Sequence, residues 1–102
     1  MIIYNVTLSI NPEIETEVLQ WLKSEHIPDV LATGLFVSGK LFRIMETEGT
    51  ESPNSFAVQY HLESWDHLDK YQKEHAARLQ QITREKYGEN VLAFRTFLEE
   101  LD

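Results

Sequence analysis

Two extended stretches decide the fold: residues 35–46, LFVSGKLFRIME, and residues 56–63, FAVQYHLE, follow each other without a helix between them. Alternate positions of the second stretch are apolar, namely Phe56, Val58, Tyr60 and Leu62. This alternation predicts a strand with one buried face. Gly39 in the first stretch predicts a bulge or a close backbone approach. Residues 47–55 include a glycine and a proline and predict the hairpin loop that joins the two strands.

The residues before this pair predict a strand and a helix. One face of residues 2–10 (IIYNVTLSI) is apolar, with Ile2, Tyr4, Val6, Leu8 and Ile10. Asn11 suits an N-cap and Pro12 the first helical position, and a stripe of apolar residues follows. Pro28 should stop or kink this helix, because its ring clashes with the preceding turn and it has no N–H. Gly34 is a natural residue to follow the last helical turn.

The residues after the pair predict a second helix and a last strand. Ser64 suits the N-cap and Gly88 the end of the helix. The stripe along one side of this helix comprises Leu68, Tyr71, Gln72, His75, Leu79 and Ile82. Residues 90–98 alternate as a strand, with Leu92, Phe94, Thr96 and Leu98 opposite Val91, Ala93, Arg95 and Phe97.

The resulting order, βαββαβ, predicts an α+β ferredoxin-like fold for residues 1–102 as a single domain. Right-handed crossovers place two helices on one face of a four-stranded antiparallel sheet. The other face is expected to carry Ile3, Asn5, Thr7, Gln59, His61, Val91, Ala93, Arg95 and Phe97. A face of such mixed polarity is typical of a surface that a partner covers. We therefore expect a homodimer in which two such faces meet.

Composition excludes several classes of function. The chain has no cysteine, which excludes disulfides and thiolate metal sites and favours a reducing compartment, the cytoplasm. Its net charge of −8 repels phosphate backbones, so no nucleic acid is expected as a partner. No apolar run approaches the roughly 20 residues that span a bilayer, and the first residues do not look like a signal peptide, so no membrane partner is expected either.

Two blocks resemble a small bacterial family that is described only as a domain of unknown function. They are residues 1–7, MIIYNVT, and residues 21–36, WLKSEHIPDVLATGLF. The layout also resembles the dimeric α+β barrel superfamily, which includes antibiotic-biosynthesis-type monooxygenases, stress-responsive barrel proteins, muconolactone isomerases and polyketide cyclase-like enzymes. The resemblance implies a homodimer in which two ferredoxin-like sheets pack face to face. Because members of the superfamily are chemically diverse, it implies a fold rather than a reaction.

His26 is the candidate catalytic residue. Several branches of the superfamily carry a histidine followed closely by a proline at this point, as His26 and Pro28 do here, and in some of them the histidine lines the pocket. Such a histidine can move protons as a general acid or base, and Asp29 is close enough in sequence to orient its ring. Tyr4, His26, Asp29 and Tyr60 are the candidate ligand-binding residues. The alternative is that His26 only caps the last carbonyls of the first helix.

The other histidines favour structural roles. His75 lies in an apolar stripe and is expected to be a half-buried core residue, and His67 is expected to be exposed. His61 either contacts a partner sheet or lines an anion site with Arg43 and Arg95. A metal site of His26, His61 and Glu63 would supply three ligands, but nothing in their spacing demands it. We expect no metal ion and no cofactor.

Two functions from different classes fit these features. The first is a dimeric module without catalytic residues that binds a small molecule or serves as an interaction module. The second is a cofactor-independent enzyme (an isomerase, monooxygenase or cyclase) acting on a small apolar substrate, with His26 as general acid or base. Cavity shape discriminates between them. A space filled by side chains favours the module, and a pocket of ligand size that reaches His26 favours the enzyme.

Overall fold

The predicted sheet is present in the computed structural model of the chain, which describes residues 1–45 and 55–102. Its strands are β1 (Ile2–Ile10), β2 (Ser38–Arg43), β3 (Ser55–Leu62) and β4 (Val91–Glu99). They lie in the order β2-β3-β1-β4, and every neighbouring pair is antiparallel. With its helices on one face, the chain has the predicted α+β, ferredoxin-like fold. The predicted hairpin loop falls, apart from Ser55, outside the described residues.

β2 is shorter than the extended stretch predicted over residues 35–46. Gly34 turns the chain with a φ of 78°, and Phe36 then lies buried in the core. Just before the first paired residue of β2, the Val37 N–H donates a hydrogen bond of 2.7 Å to the His61 carbonyl. The residues after Gly34 therefore lead into the strand rather than belonging to it, and the predicted end at Glu46 lies outside the described part of the chain.

The close backbone approach predicted at Gly39 is confirmed. A Cβ atom on Gly39 would lie 2.9 Å from Cδ1 of Tyr60 and 3.2 Å from Cγ2 of Ile27. Tyr60 lies directly opposite Gly39 on β3. The missing side chain therefore lets the ring of Tyr60 and the first helical segment pack against β2.

The first helical segment continues through Pro28, so of the predicted stop or kink the stop is wrong. After a 3-10 turn (Pro12–Ile14) come α1 (Glu15–Trp21), a wide π-helical turn (Leu22–His26) and α2 (Ile27–Leu31). The Ile27 N–H bonds to the carbonyl of Leu22, five residues earlier. A π turn displaces the carbonyls that the proline ring would otherwise meet, so the chain stays helical. The predictions for the ends are confirmed: Asn11 accepts a bond from the Glu13 N–H, and Gly34 has positive φ.

The second helical segment is divided, whereas the sequence predicts one helix. It consists of α3 (Trp65–Glu74) and α4 (Ala76–Tyr87), followed by a 3-10 turn (Gly88–Asn90). His75 between them has φ of −129°. The buried residues explain the break: Tyr71 and Ala76 are both buried but are five positions apart, a spacing that an unbroken α-helix does not place on one face.

The register of β4 corrects the predicted faces of the sheet. Tyr4 pairs with Phe97, and Val6 pairs with Arg95. Residues opposite each other in an antiparallel pair share a face, so Arg95 and Phe97 lie on the helix-covered face. The open face instead carries, from β4, Leu92, Phe94, Thr96 and Leu98. Alternation separates the two sides of a strand but does not say which side the helices cover, and both sides of β4 hold apolar residues.

The hydrophobic core lies between the helices and the covered face of the sheet. Its most completely buried side chains are Phe56, Ile10, Leu62, Leu79, Val18, Val30 and Val58. All three strand residues predicted on the buried face of β3 beside Tyr60 are among the buried residues. This packing positions β1, β4 and the π-helical turn around a cavity.

Candidate functional site

A cavity of about 470 Å³ lies between the helices and the covered face of the sheet. This volume falls in the range of small-molecule sites. Apolar side chains form much of the wall, among them Val6, Leu8, Val18, Leu22, Val58 and Leu79. The space is therefore not filled by the core, and its interior suits a largely apolar molecule.

Polar and aromatic side chains interrupt this apolar wall. Among them are Tyr4, Trp21, His26, Tyr60, Tyr71 and Arg95. Three of the four predicted ligand-binding residues thus line the cavity. The fourth, Asp29, is exposed on α2 and is not among the lining residues. Sequence reasoning placed Tyr71 in the core without assigning it to the cavity, and it placed Arg95 on the wrong face.

His26 closes the π-helical turn and is half-buried. Its ring stacks on Trp21, with centroids 4.8 Å apart and planes at 24°. Burial lowers the pKa of His26 from its ordinary value of 6.5, the carboxylate of Asp29 opposes this shift, and the positive charge of Arg95 adds to it. Because burial dominates, the imidazole is neutral at neutral pH and can accept a proton.

The capping role considered for His26 does not fit the backbone. The helical segment runs on through Ile27–Leu31, so His26 does not lie at its end. As the residue before α2, His26 makes no side-chain hydrogen bond to the first turn of that helix. His26 instead lines the cavity.

Tyr4 is the centre of an aromatic cluster beneath the cavity. Its ring lies 5.7 Å from that of Tyr71, 6.1 Å from Tyr60 and 6.3 Å from Phe36, measured between centroids. The Arg95 Nε–H donates a hydrogen bond of 3.0 Å to the Tyr4 hydroxyl. This bond ties β1 to β4 at the cavity wall.

Tyr60 and Tyr71 act as neutral hydroxyls. Burial, followed by the neighbouring phenols Tyr71 and Tyr4, raises the pKa of Tyr60 above its ordinary value. Burial likewise raises the pKa of Tyr71, with Tyr4 adding to the shift and Arg95 and Arg78 opposing it. Both therefore stay protonated and can only donate or accept hydrogen bonds.

One side of the cavity is formed by residues that also meet solvent. From α4 and the turn after it come Gln80, Thr83, Arg84, Gly88 and Glu89. Arg84, Gly88 and Glu89 are exposed. The cavity therefore has a polar mouth between α4 and β4, through which a ligand can enter.

The alternative anion and metal sites are not assembled. His61 lies on the open face beside Ser38, with Nδ1 3.4 Å from the serine Oγ, whereas Arg43 and Arg95 lie on the covered face. His26 and His61 are thus on opposite sides of the sheet. Within residues 1–45 and 55–102, no three side chains of His, Cys, Asp or Glu are grouped to hold a metal ion.

The two remaining histidines lie outside the cavity wall. His75 is half-buried, as expected, with Nδ1 3.3 Å from Nη2 of Arg78. His67 is half-buried in the first turn of α3 rather than exposed. Neither lines the cavity.

The open face of the sheet is strongly apolar at the outer strands. Its large exposed side chains are Phe94 (67%), Leu92 (52%), Phe42 (44%) and Leu98 (39%). In the part of the chain that the structure describes, no helix is both long and apolar enough to cross a membrane.

Residues 1–101 match the family described as Domain of unknown function (DUF4286), and the chain belongs to that family. No curated protein matches the sequence. The family assignment agrees with the resemblance drawn from residues 1–7 and 21–36, and it fixes no activity.

Solved structures share the fold at low sequence identity. An ethyl tert-butyl ether d (ethd) family protein from Bacillus halodurans is 16% identical, with a TM-score of 0.75 over 99% of this chain and 100% of that one. A dimeric ferredoxin-like protein from an uncultured marine organism is 12% identical, with a TM-score of 0.69 over 100% and 96%. An antibiotic biosynthesis monooxygenase is 18% identical, with a TM-score of 0.64 over 100% of both chains. At these identities the likeness shows the fold alone.

Proposed function

We propose that this member of the DUF4286 family is a cofactor-independent enzyme that moves a proton on a small, largely apolar molecule, with His26 as the general base. The observation that carries the proposal is the cavity of about 470 Å³ that reaches His26. A pocket of this size is the outcome that favours an enzyme over a module with a filled interior.

The environment of His26 supports its role as the general base. Burial, the largest effect, lowers the pKa of His26, so the ring is neutral and has a free lone pair at neutral pH. A base with a pKa not far from the working pH is efficient in proton transfer. The reaction that fits is removal of a proton from a carbon next to a carbonyl group, which leaves an enolate. Return of the proton from the imidazolium, to the same or to another carbon, completes an exchange or an isomerisation and leaves His26 neutral again.

Tyr4 and Tyr60 contribute hydroxyls to the same cavity. Neutral phenols can donate hydrogen bonds to a carbonyl oxygen as it gains negative charge. Asp29 affects His26 only through its charge, which raises the pKa of His26 against the effect of burial. An antibiotic biosynthesis monooxygenase shares the fold, which supports a place for enzymes on this scaffold without assigning its reaction to this chain.

Deuterium exchange tests the proposal. The probe is 2-tetralone, a small apolar ketone with acidic hydrogens next to its carbonyl, and loss of their proton NMR signal in D₂O reports the exchange. We expect the wild-type protein to accelerate the exchange and His26→Gln to lose the acceleration. His67→Gln is the matched control, because His67 does not line the cavity and its substitution should leave the rate unchanged.

A binding module without chemistry is the second candidate. The observation that favours it is that, within the described residues, no hydrogen bond fixes the ring of His26, which is held by stacking on Trp21. The two candidates differ in the outcome of the same experiment. Binding of 2-tetralone without any acceleration of exchange would favour the module.

We further infer that the chain forms a homodimer through the open face of the sheet. The exposed side chains of Phe42, Leu92, Phe94 and Leu98 lie on that face, and a second copy can cover them. A related fold described as a dimeric ferredoxin-like protein supports this assembly. The absence of cysteine supports the cytoplasm as its compartment, and the resemblance to a bacterial family supports a bacterial source.

A further inference from the structure

We propose that Arg95 and Tyr4 together bind an anionic oxygen of the ligand, so that the ligands of this cavity are apolar ring compounds with an ionisable hydroxyl group, the phenols and enols. The inference rests on the proposed function, because it concerns the same cavity, and it adds the chemical class of the ligand. It is carried by one contact, the hydrogen bond between the two side chains.

The sheet places the two side chains next to each other. Arg95 on β4 lies opposite Val6 on β1, and Phe97 lies opposite Tyr4. Arg95 is thus a diagonal neighbour of Tyr4 on the covered face, within reach of a long side chain. Its Nε–H donates to the Tyr4 hydroxyl over 3.0 Å, and both residues line the cavity. The pair is held by β1 and β4 rather than by a loop.

Arg95 retains donors for a ligand. Arginine has five N–H donors in a planar fork, and the contact with Tyr4 uses the one on Nε. Among the described residues, the ion pairs involve Arg43, Lys70 and Lys73, and no carboxylate pairs with Arg95. Arg95 is exposed at the edge of the cavity, so its permanent positive charge meets solvent as well as the largely apolar ligand space, where it favours an anion.

Tyr4 supplies a second donor. Its hydroxyl oxygen accepts the bond from Arg95, which leaves the hydroxyl hydrogen to donate. A phenol whose oxygen accepts from a cation is polarised and becomes a stronger donor. Tyr4 itself is 3% exposed, so its position is fixed by the core. The pair thus offers N–H and O–H groups to one ligand oxygen.

The rest of the cavity selects an apolar ring. Tyr60 and Tyr71 present aromatic surface beside Tyr4, and Val58 and Leu79 add aliphatic surface. A ligand that was charged throughout would lose its hydration against these walls. An apolar ring with one ionisable oxygen can pair that oxygen with the cation of Arg95 and place the ring against the apolar walls.

The electrostatics agree with this arrangement. The charge of Arg95 adds to the effect of burial in lowering the pKa of His26 and opposes the rise that burial causes in the pKa of Tyr71, so the cation acts on groups across the cavity. A neutral His26 beside a cationic Arg95 leaves the site with a positive charge that a phenolate or enolate would neutralise.

A pair of matched probes tests the inference. 4-Nitrophenol and nitrobenzene differ by a hydroxyl group, and the absorbance of 4-nitrophenol changes when it loses its proton to form 4-nitrophenolate. We expect the wild-type protein to bind both, to bind the phenolate more tightly and to lower the apparent pKa of the bound phenol. Arg95→Gln should weaken phenolate binding by about tenfold or more, the scale of a hydrogen bond to a charged group, and leave nitrobenzene binding unchanged. Tyr4→Phe should weaken phenolate binding less, because it removes one neutral donor.

Arg43→Gln is the matched control, since Arg43 lies on the same face of the sheet but does not line the cavity. Circular dichroism of each variant confirms that the fold is retained. If nitrobenzene binds but the phenolate binds no more tightly, or if Arg95→Gln leaves its affinity unchanged, the inference is overturned while the proposed function stands. If neither probe binds to the wild-type protein, the cavity is not a ligand site, and both this inference and the proposed function are overturned.

Discussion

The ring of His26 lies on the ring of Trp21, with centroids 4.8 Å apart and planes inclined by 24°. Trp21 ends α1, and His26 ends the π-helical turn that follows. Trp21 is 7% exposed, and its ring meets that of Tyr87 edge to face, with centroids 5.3 Å apart. The core of the first helical segment thus directly supports the side chain on which the proposed chemistry depends.

Truncation of the Trp21 side chain should strongly destabilise the fold. We expect Trp21→Ala to lower the free energy of unfolding by about 3–5 kcal/mol, because a large buried ring leaves a cavity behind. It should cost more than truncation of any histidine, His75→Ala included. Urea unfolding measures both. Trp65→Ala is the control, since Trp65 is 50% exposed. A larger loss for His75→Ala than for Trp21→Ala would show that the core is wrongly assigned.

The lowered pKa of His26 predicts a pH dependence of stability. Burial lowers the pKa in the folded state below 6.5, so the unfolded chain binds more protons than the folded chain in this range. The contribution of His26 to stability is therefore fully present above pH 6.5 and is lost as the pH falls through the lower, folded-state pKa. Urea unfolding between about pH 5 and pH 8 should show a smaller loss on acidification for His26→Gln than for the wild type. Identical slopes for both proteins would contradict the assigned burial.

Gly39 allows a close approach of Tyr60 and Ile27 to β2. We expect Gly39→Ala to destabilise the fold by about 1–3 kcal/mol, because the new methyl group would meet Tyr60 at 2.9 Å and Ile27 at 3.2 Å. Lys40→Ala, at the next position and exposed, should have little effect. Thermal unfolding of the two variants tests this, and equal melting temperatures would argue against a close approach.

The open face predicts a dimer of about 1,200–2,000 Å² total buried area. Sedimentation equilibrium at micromolar concentration should give the mass of two chains for the wild type. Phe94→Glu, which places a charge on the exposed face, should shift the protein to the monomer. Trp65→Glu introduces the same charge at an exposed aromatic residue on α3 and should remain dimeric. A clean wild-type monomer would contradict the assembly.

The helices and strands of the fold follow from local sequence patterns. The predictions from sequence are wrong where contacts between residues distant in sequence determine the structure. Alternation in β1 and β3 identifies strands with one buried face, and the caps at Asn11 and Ser64 mark helix starts. The face of β4 depends on its register with β1, which is 91 residues distant for the Tyr4 and Arg95 contact. The continuation through Pro28 depends on a π turn that residue preferences do not specify.

The candidate site could be predicted from the sequence only where local patterns or a resemblance identified its residues. His26, Tyr4 and Tyr60 line the cavity, and each was selected from its own neighbourhood in sequence or from a resemblance. Asp29 was selected by proximity in sequence, but it lies exposed on the outer side of α2. Arg95 could have been found by aligning β4 with β1 so that the acidic tail pairs with the start of β1, as Glu99 does with Ile2.

The proposed function requires that a small molecule occupies the cavity in contact with His26. NMR of the imidazole signals, recorded while 4-nitrophenol is added, tests this contact, because the four histidines lie in different surroundings. We expect the His26 signals to shift and saturate, while those of His61 on the open face and His67 on α3 remain in place. Saturating shifts at His61 or His67 with His26 unmoved, or no shift at any histidine, would contradict it.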